Sequence, residues 1–547
     1  MLRCSSPCAL KGNPCTAPSR TAGRRIMIEF DSRVVLPCWN TLPDQPAKAG
    51  CKPMSAVVPS RRANPPKGTA IDHNADSRRR HDSGIDAGWP LARAIVVLAC
   101  ALLVLVLKLP LSLYAEDPAP TPPMGWSEWD SYGLTIAEAD FRANAVVLAS
   151  LRQYGWQYAM LDAGWYEENP ANPQQSGRQY QLDGNGRLIA AVNRFPSAAD
   201  GEGFKRLADW LHKRGLKLGI HVMLGIPRQA VERDALLAGS TFRASEAADT
   251  TQTCPWDSEF YAVRDTAAGQ AWYDSIAKQY AGWGVDLIKL GCVSDRPFRF
   301  SEIRQISEAV RATRRPMVLS LSPGPPPQQY ASFVGKYAQM WRVSVEHWDV
   351  WTTPQNKSGF PIGLRDEFDV LAKWSPLVKS GNWVDPDALP NGWLGPHPAW
   401  GQARSSQLTQ EEQRSEFTLW AFARAPLIAG ANLTRLDPFT RGLMTDRVLL
   451  DIDQNARESH PITDLPPEWN QVRLWEAQTR RSGRLRHSFA FFNLADTPVH
   501  LHARWTELGL SRGKHMARDR TNHRQLAPSE QAEIVLPEHG SAVYCVQ

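Results

Sequence analysis

Val285-Asp-Leu-Ile-Lys-Leu-Gly-Cys-Val-Ser-Asp-Arg-Pro297 is an apolar run over 286–290 that breaks at Gly291 into a polar loop. The pattern predicts a buried strand with a helix on either side. Before it, Trp272, Ile276 and Tyr280 share one helix face and Gly284 stops that helix. After it, Ile303, Ile306 and Val310 share the inward face of the next helix. In a β/α barrel the residue just past such a strand faces the open mouth. Lys289 and the Gly291-Cys292 pair therefore sit at the lip, and a glycine stands where a carboxylate is expected.

The same alternation extends in both directions. Thr135-x-x-Glu138 reads as a capping box opening a helix through Leu151. Strands are predicted at 158–162, 216–223, 317–321, 340–343, 383–384 and 426–428, with a first strand ahead of Trp126. Phe204, Leu207, Ala208 and Leu211 mark one face of a helix that Gly215 ends. Strands alternating with helices mean a parallel sheet, and this many units over 121–445 predict a closed (β/α)8 TIM barrel in an α/β protein. From about 446 to 547 the pattern becomes strands alone, at 472–475, 487–492, 499–502, 532–535 and 542–546, which predicts a C-terminal antiparallel β-sandwich.

The charge of +6 is placed unevenly. Residues 1–90 carry +7, and the rest carries −1. The basic character belongs to a leader rich in Pro, Arg, Ser and Ala, read as a disordered arm, so the remainder does not ask for a nucleic-acid partner. Residues 91–120 hold a charge-free apolar run, 95–107, followed by a Pro-rich linker. That run suits a signal-peptide core near 93–115 and export to the periplasm or medium. The long tract before it suits a translation start further in, or else a membrane anchor lengthened through 109–113. A membrane partner follows only if the run stays uncleaved. Of nine cysteines, Cys4, Cys8, Cys15, Cys38 and Cys51 lie in the leader and Cys100 in the apolar run, leaving Cys254, Cys292 and Cys545. No His/Cys set has metal-ligand spacing, so neither a metal nor another cofactor is expected. The 21 tryptophans fit either a Trp-rich core or a surface that stacks on sugar rings.

Polar and aromatic residues collect where strands stop. Trp126 and Trp129 follow the first, Asp162 and Trp165 the second, His221 ends the third and Lys289 the fourth. Ser320 and Ser322 end the fifth, Arg342, Glu346 and Asp349 follow the sixth, and Asp385 and Asp387 the seventh. Carboxylates bind hydroxyl pairs, indoles stack, and a carboxylic acid protonates a glycosidic oxygen, so this ring matches a sugar site.

Pro122-Pro-Met-Gly-Trp126, Leu161-Asp-Ala-Gly-Trp165, Gly215-Leu-Lys-Leu-Gly-Ile220, Trp283-Gly-Val-Asp-Leu-Ile-Lys289, Trp341-Arg342 and Asp385-Pro-Asp387 resemble the signatures of family-27 glycoside hydrolases, the α-galactosidase and α-N-acetylgalactosaminidase family. Ala191-Val-Asn-Arg-Phe-Pro196 and Gly225-Ile-Pro-Arg-Gln229 resemble its bacterial branch. The resemblance runs from about 121 to 547. It implies hydrolysis of terminal α-D-galactosyl residues from a small glycoside or oligosaccharide, through a retaining double displacement. It places the acid/base at Glu346 and the nucleophile at Gly291, where the carboxylate is missing. Trp129, Asp162, Lys289, Arg342 and Asp387 match sugar-binding positions, His221 replaces an aromatic residue, and Ser322 falls where animal members read the C2 substituent. The family also links loops comparable to those of Cys254 and Cys292 by a disulfide, against which two buried free thiols remain the alternative.

Glycine at 291 removes the covalent route. Asp295 is four residues on, roughly 13 Å if extended, against the about 5.5 Å a retaining pair needs, so only a loop folding back brings it in. Water attacks instead, with inversion, only if Glu346 or another carboxylate is placed as base. Three readings stay open: an impaired or altered hydrolase, a sugar-binding protein without catalysis, and a membrane-tethered protein whose barrel is only a scaffold.

Overall fold

The structure, a computed structural model, describes residues 117–170, 178–255, 257–294, 297–356, 359–481, 483–520 and 524–546. The leader, the 95–107 run, their cysteines and Asp295 lie outside the described residues. No described helix is long and apolar enough to cross a membrane.

Eight parallel strands form one sheet. They are β1 Met124–Ser127, β2 Tyr158–Leu161, β3 Lys217–Met223, β4 Leu287–Gly291, β5 Val318–Leu321, β6 Met340–Arg342, β7 Trp383–Asp385 and β8 Leu427–Ala429. From β1 to β7 each strand pairs with the next in sequence, and β8 pairs with β1. The ring is closed by the segment leaving β7: Leu389 N donates to Ile428 O at 2.7 Å, and Gly430 N to Leu389 O at 3.0 Å. The strands are buried almost throughout because helices cover the outside and side chains fill the inside, which is why they read as continuous apolar runs. Helices Ala267–Trp283 and Phe300–Ala312 flank β4 as their apolar spacing predicts. The seven barrel strand ranges predicted by number match to within one residue at either end, while β1 contains Trp126 rather than stopping ahead of it.

Two details differ. The capping box does not form: the helix is Glu138–Leu151 with Ala137 at its N-cap, and the Thr135 hydroxyl donates back to Tyr132 O at 2.7 Å. Thr135 ends a 3-10 turn, Gly133–Thr135, two residues too early to cap, while Glu138 instead pairs with Arg142 and accepts from Ser197 N at 2.8 Å. Beyond 446, where strands alone are predicted, a helix, Arg447–Asn455, precedes the first strand at Glu458. The six-stranded antiparallel sheet that follows packs against the pair Val499–Arg504 and Gln531–Leu536. Gln531–Leu536 alternates exposed and buried residues, the period of a half-buried strand, and Phe489, Phe491, Trp505, Ile534 and Tyr544 join the two layers.

Between β3 and β4 the chain makes a hairpin of Ala248–Cys254 and Asp257–Val263. A disulfide between Cys254 and Cys292, with Cα atoms 5.9 Å apart, ties this hairpin to the end of β4. The hairpin is thereby held over the mouth of the barrel.

Candidate active site

A cavity of about 420 Å³ opens at the C-terminal ends of the strands. Trp129, Asp162, His221, Lys289, Ser322 and Glu346, all named from sequence, line it. Three of its lining groups are carboxylates, Asp162, Glu346 and Asp257. A cavity of similar size, about 450 Å³, lies where the strands begin and is lined by Arg311, Arg314 and one acid, Asp117. Acid–base chemistry on a glycoside needs convergent carboxyls, which of these two cavities the mouth provides.

Asp162 is the most constrained member. Its Oδ2 accepts from Lys289 Nζ at 2.7 Å, its Oδ1 from Ala163 N at 2.8 Å, and its own N–H donates to Glu128 Oε1 at 2.7 Å. Burial pushes its pKa up, but Lys289 and His221 outweigh burial and bring it down to about 2. Burial pulls Lys289 down, and Asp162 and Asp387 more than reverse this, so the ammonium is held charged.

His221 is inside β3 rather than at its end, paired in register with Lys289 of β4, while Met223 pairs with Gly291. Paired residues of parallel strands face the same side, so all four point into the barrel. Burial pushes the His221 pKa down to about 4, so the ring is neutral at neutral pH. A β-carbon added to Gly291 would lie 2.7 Å from His221 Nε2 and 2.9 Å from Met223 Sδ.

Arg342 is fully buried, and its Nη2 is 2.7 Å from Asp387 Oδ2. The N–H is not aimed along that line, so the pair is a close charge–charge contact rather than an aligned hydrogen bond. Asp387 adopts a left-handed backbone, φ 93, at the turn after β7. Its carboxylate also accepts from His347 N at 3.2 Å. Arg342 and Asp387 stand behind the cavity wall, yet Asp387 is near enough to raise both Lys289 and Glu346. Glu346 is raised first by burial and then by Asp387, against Arg342 and Lys289, which favours the protonated acid. Trp348 Nε1 donates to its Oε2 at 3.5 Å.

Other strand-end residues prove structural. Trp126 donates to Ala431 O and Trp165 to His221 O. Asp349 pairs with Arg404, and Asp385 accepts from Asp387 N. Of the 21 tryptophans thirteen are buried and Trp129 lines the cavity, so most of the indole content serves the core.

Sequence reasoning missed Asp257, Arg178 and Tyr166, which also line the cavity. Asp257 Oδ2 accepts from Tyr180 OH at 2.7 Å and lies 3.4 Å from Arg178, which also pairs with Glu167. The pairing of Cys254 with Cys292 was the available signal, because it brings the hairpin that carries Asp257 to the mouth. Also missed were Glu128 and Asp130, buried acids beneath the site whose pKa values burial raises.

Residues 121–234 and 263–455 match the family model described as alpha galactosidase A; the unmatched interval holds most of the hairpin. The solved structure of a GH27 β-L-arabinopyranosidase from Geobacillus stearothermophilus is 35% identical, covers 80% of this chain and 98% of its own, and superposes with a TM-score of 0.74. The α-galactosidase A of Cellvibrio japonicus is 28% identical over 346 residues, 62% of this chain and 69% of that protein. The α-N-acetylgalactosaminidase of Gallus gallus is 27% identical over 359 residues, 62% and 71% of the two chains. The chain belongs to the alpha galactosidase A family of glycoside hydrolases, family 27.

Proposed function

We propose that this protein is an exported glycosidase of the bacterial branch of its family, acting on terminal α-D-galactosyl residues. The observation that carries the reading is the Asp162–Lys289 pair set in a cavity that also holds Trp129, Ser322 and a raised acid, Glu346. Asp162, charged and fixed, accepts from two sugar hydroxyls; Lys289 donates to one; Trp129 stacks on the ring face. His221 and Ser322 bound the ring, and Arg342 and Asp387 fix the floor. Glu346 donates the proton to the departing oxygen. Similarity to an arabinopyranosidase and to α-N-acetylgalactosaminidases keeps two neighbouring substrates in view, since β-L-arabinopyranose is α-D-galactopyranose without its C6 group.

Gly291 favours a second reading, a sugar-binding protein that does not cleave. The test is release of nitrophenol from the aryl α-D-galactoside, β-L-arabinopyranoside and α-N-acetylgalactosaminide by the full chain and by Glu346→Gln. Turnover of the galactoside above the other two, lost in the variant, supports the first reading. Galactose binding without turnover of any of them supports the second.

A further inference from the structure

A side chain at position 291 would start beside an imidazole: its β-carbon would lie 2.7 Å from His221 Nε2 and 3.0 Å from Cε1. The oxygens of an aspartate reach about 2.4 Å beyond their β-carbon. A water held by Nε2 at about 2.8 Å occupies the same space. Among the described residues Nδ1 of His221 has no hydrogen-bond partner and is closed to solvent, so Nε2 is the nitrogen that meets the cavity. The Asp162 carboxylate is near enough to favour a positive charge on the ring, and the indole N–H of Trp165 grips the His221 carbonyl at 2.8 Å.

We infer that His221 is the general base of an inverting hydrolysis, activating a water that stands where the side chain of residue 291 would project. This rests on the reading of the cavity as a glycoside site. The water oxygen bonds to the anomeric carbon and gives a proton to Nε2. The bond from that carbon to the aglycone oxygen breaks, its electron pair stays on the oxygen, and the Glu346 proton neutralises it. Solvent exchange then returns a proton to Glu346 and removes one from His221. Retaining sites hold their two groups about 5.5 Å apart, and inverting ones leave about 6.5–9.5 Å for the water. Deleting the carboxymethyl group at 291 and setting the base behind it moves the site toward the second arrangement.

The test follows the first sugar released from 4-nitrophenyl α-D-galactopyranoside, or from the β-L-arabinopyranoside if that is the one cleaved, by proton NMR within minutes of mixing. The expected first product has the inverted configuration. His221→Asn should lose at least about 100-fold in turnover. Azide, which needs no base, should restore the variant and yield the inverted glycosyl azide. A retained first product, an active His221→Asn, or a variant that azide leaves silent overturns the proposal. Galactose binding without hydrolysis by the unaltered chain overturns it while sparing the site. Absence of both binding and hydrolysis removes the site reading and this proposal together.

Discussion

Lys289 Nζ donates to Asp162 Oδ2 at 2.7 Å, joining β4 to β2 across the face of β3, with the Asp162 side chain 4% exposed. Removing one partner of a buried pair leaves the other charge unpaired, at a cost of about 3 kcal/mol. Lys289→Met should lower unfolding stability by that amount at pH 7. The Asp162 pKa is depressed to about 2, so its contribution is present above the ordinary carboxylate value and is lost as pH falls through 2. Urea titrations should therefore show the gap between the two proteins narrowing below about pH 4.

Activity should have an acidic optimum. Glu346, raised by burial and Asp387 against Arg342 and Lys289, must carry its proton, so the rate falls as pH rises through its pKa. His221, faced by Asp162, Lys289 and Arg178, must be neutral, so the rate falls as pH drops through about 4. A bell-shaped kcat/KM profile is expected. An optimum at pH 8 or above contradicts these assignments.

Gly291→Asp should raise turnover at least about tenfold and switch the product to retention, because it returns a carboxylate to the place a retaining pair needs. The atoms nearest to a β-carbon there are the ends of two side chains, His221 and Met223. Gly291→Asp combined with His221→Ala should then exceed the single variant. NMR of the first product reads both effects.

The Cys254–Cys292 disulfide closes a separation of 38 residues. Its removal by Cys254→Ser with Cys292→Ser should cost about 3 kcal/mol. It should also raise KM more than it lowers kcat, since the hairpin it holds carries Asp257 into the cavity lining while Glu346 is anchored elsewhere. Calorimetry and steady-state kinetics check the two parts.

The barrel is legible in the sequence because each strand is a short apolar run ended by Gly or a polar residue, and 286–290 differs from the observed β4 by one position. Part of the candidate site was legible for the same reason: Asp162, His221, Lys289 and Ser322 are polar residues at or near the ends of apolar strands and line the mouth, whereas Asp349 and Asp385 share the pattern and do not. The Thr135 misreading shows the limit of local pattern, since a 3-10 turn consumed the capping residue. Asp257 was illegible because it comes from an insertion without barrel periodicity, brought in by a covalent link far away in sequence, and Arg178 because it comes from the long connection between β2 and β3 and meets Asp257 only in the fold. The proximity of His221 to Gly291 was hidden too, since nothing in either segment shows that strands β3 and β4 pair in that register.

The most direct measurement is calorimetric titration of the full chain and of Asp162→Ala with D-galactose. Saturable binding by the first and at least about tenfold weaker binding by the second is the predicted result. No binding to the unaltered chain, or equal binding to both, contradicts the account of the barrel mouth as a galactosyl site.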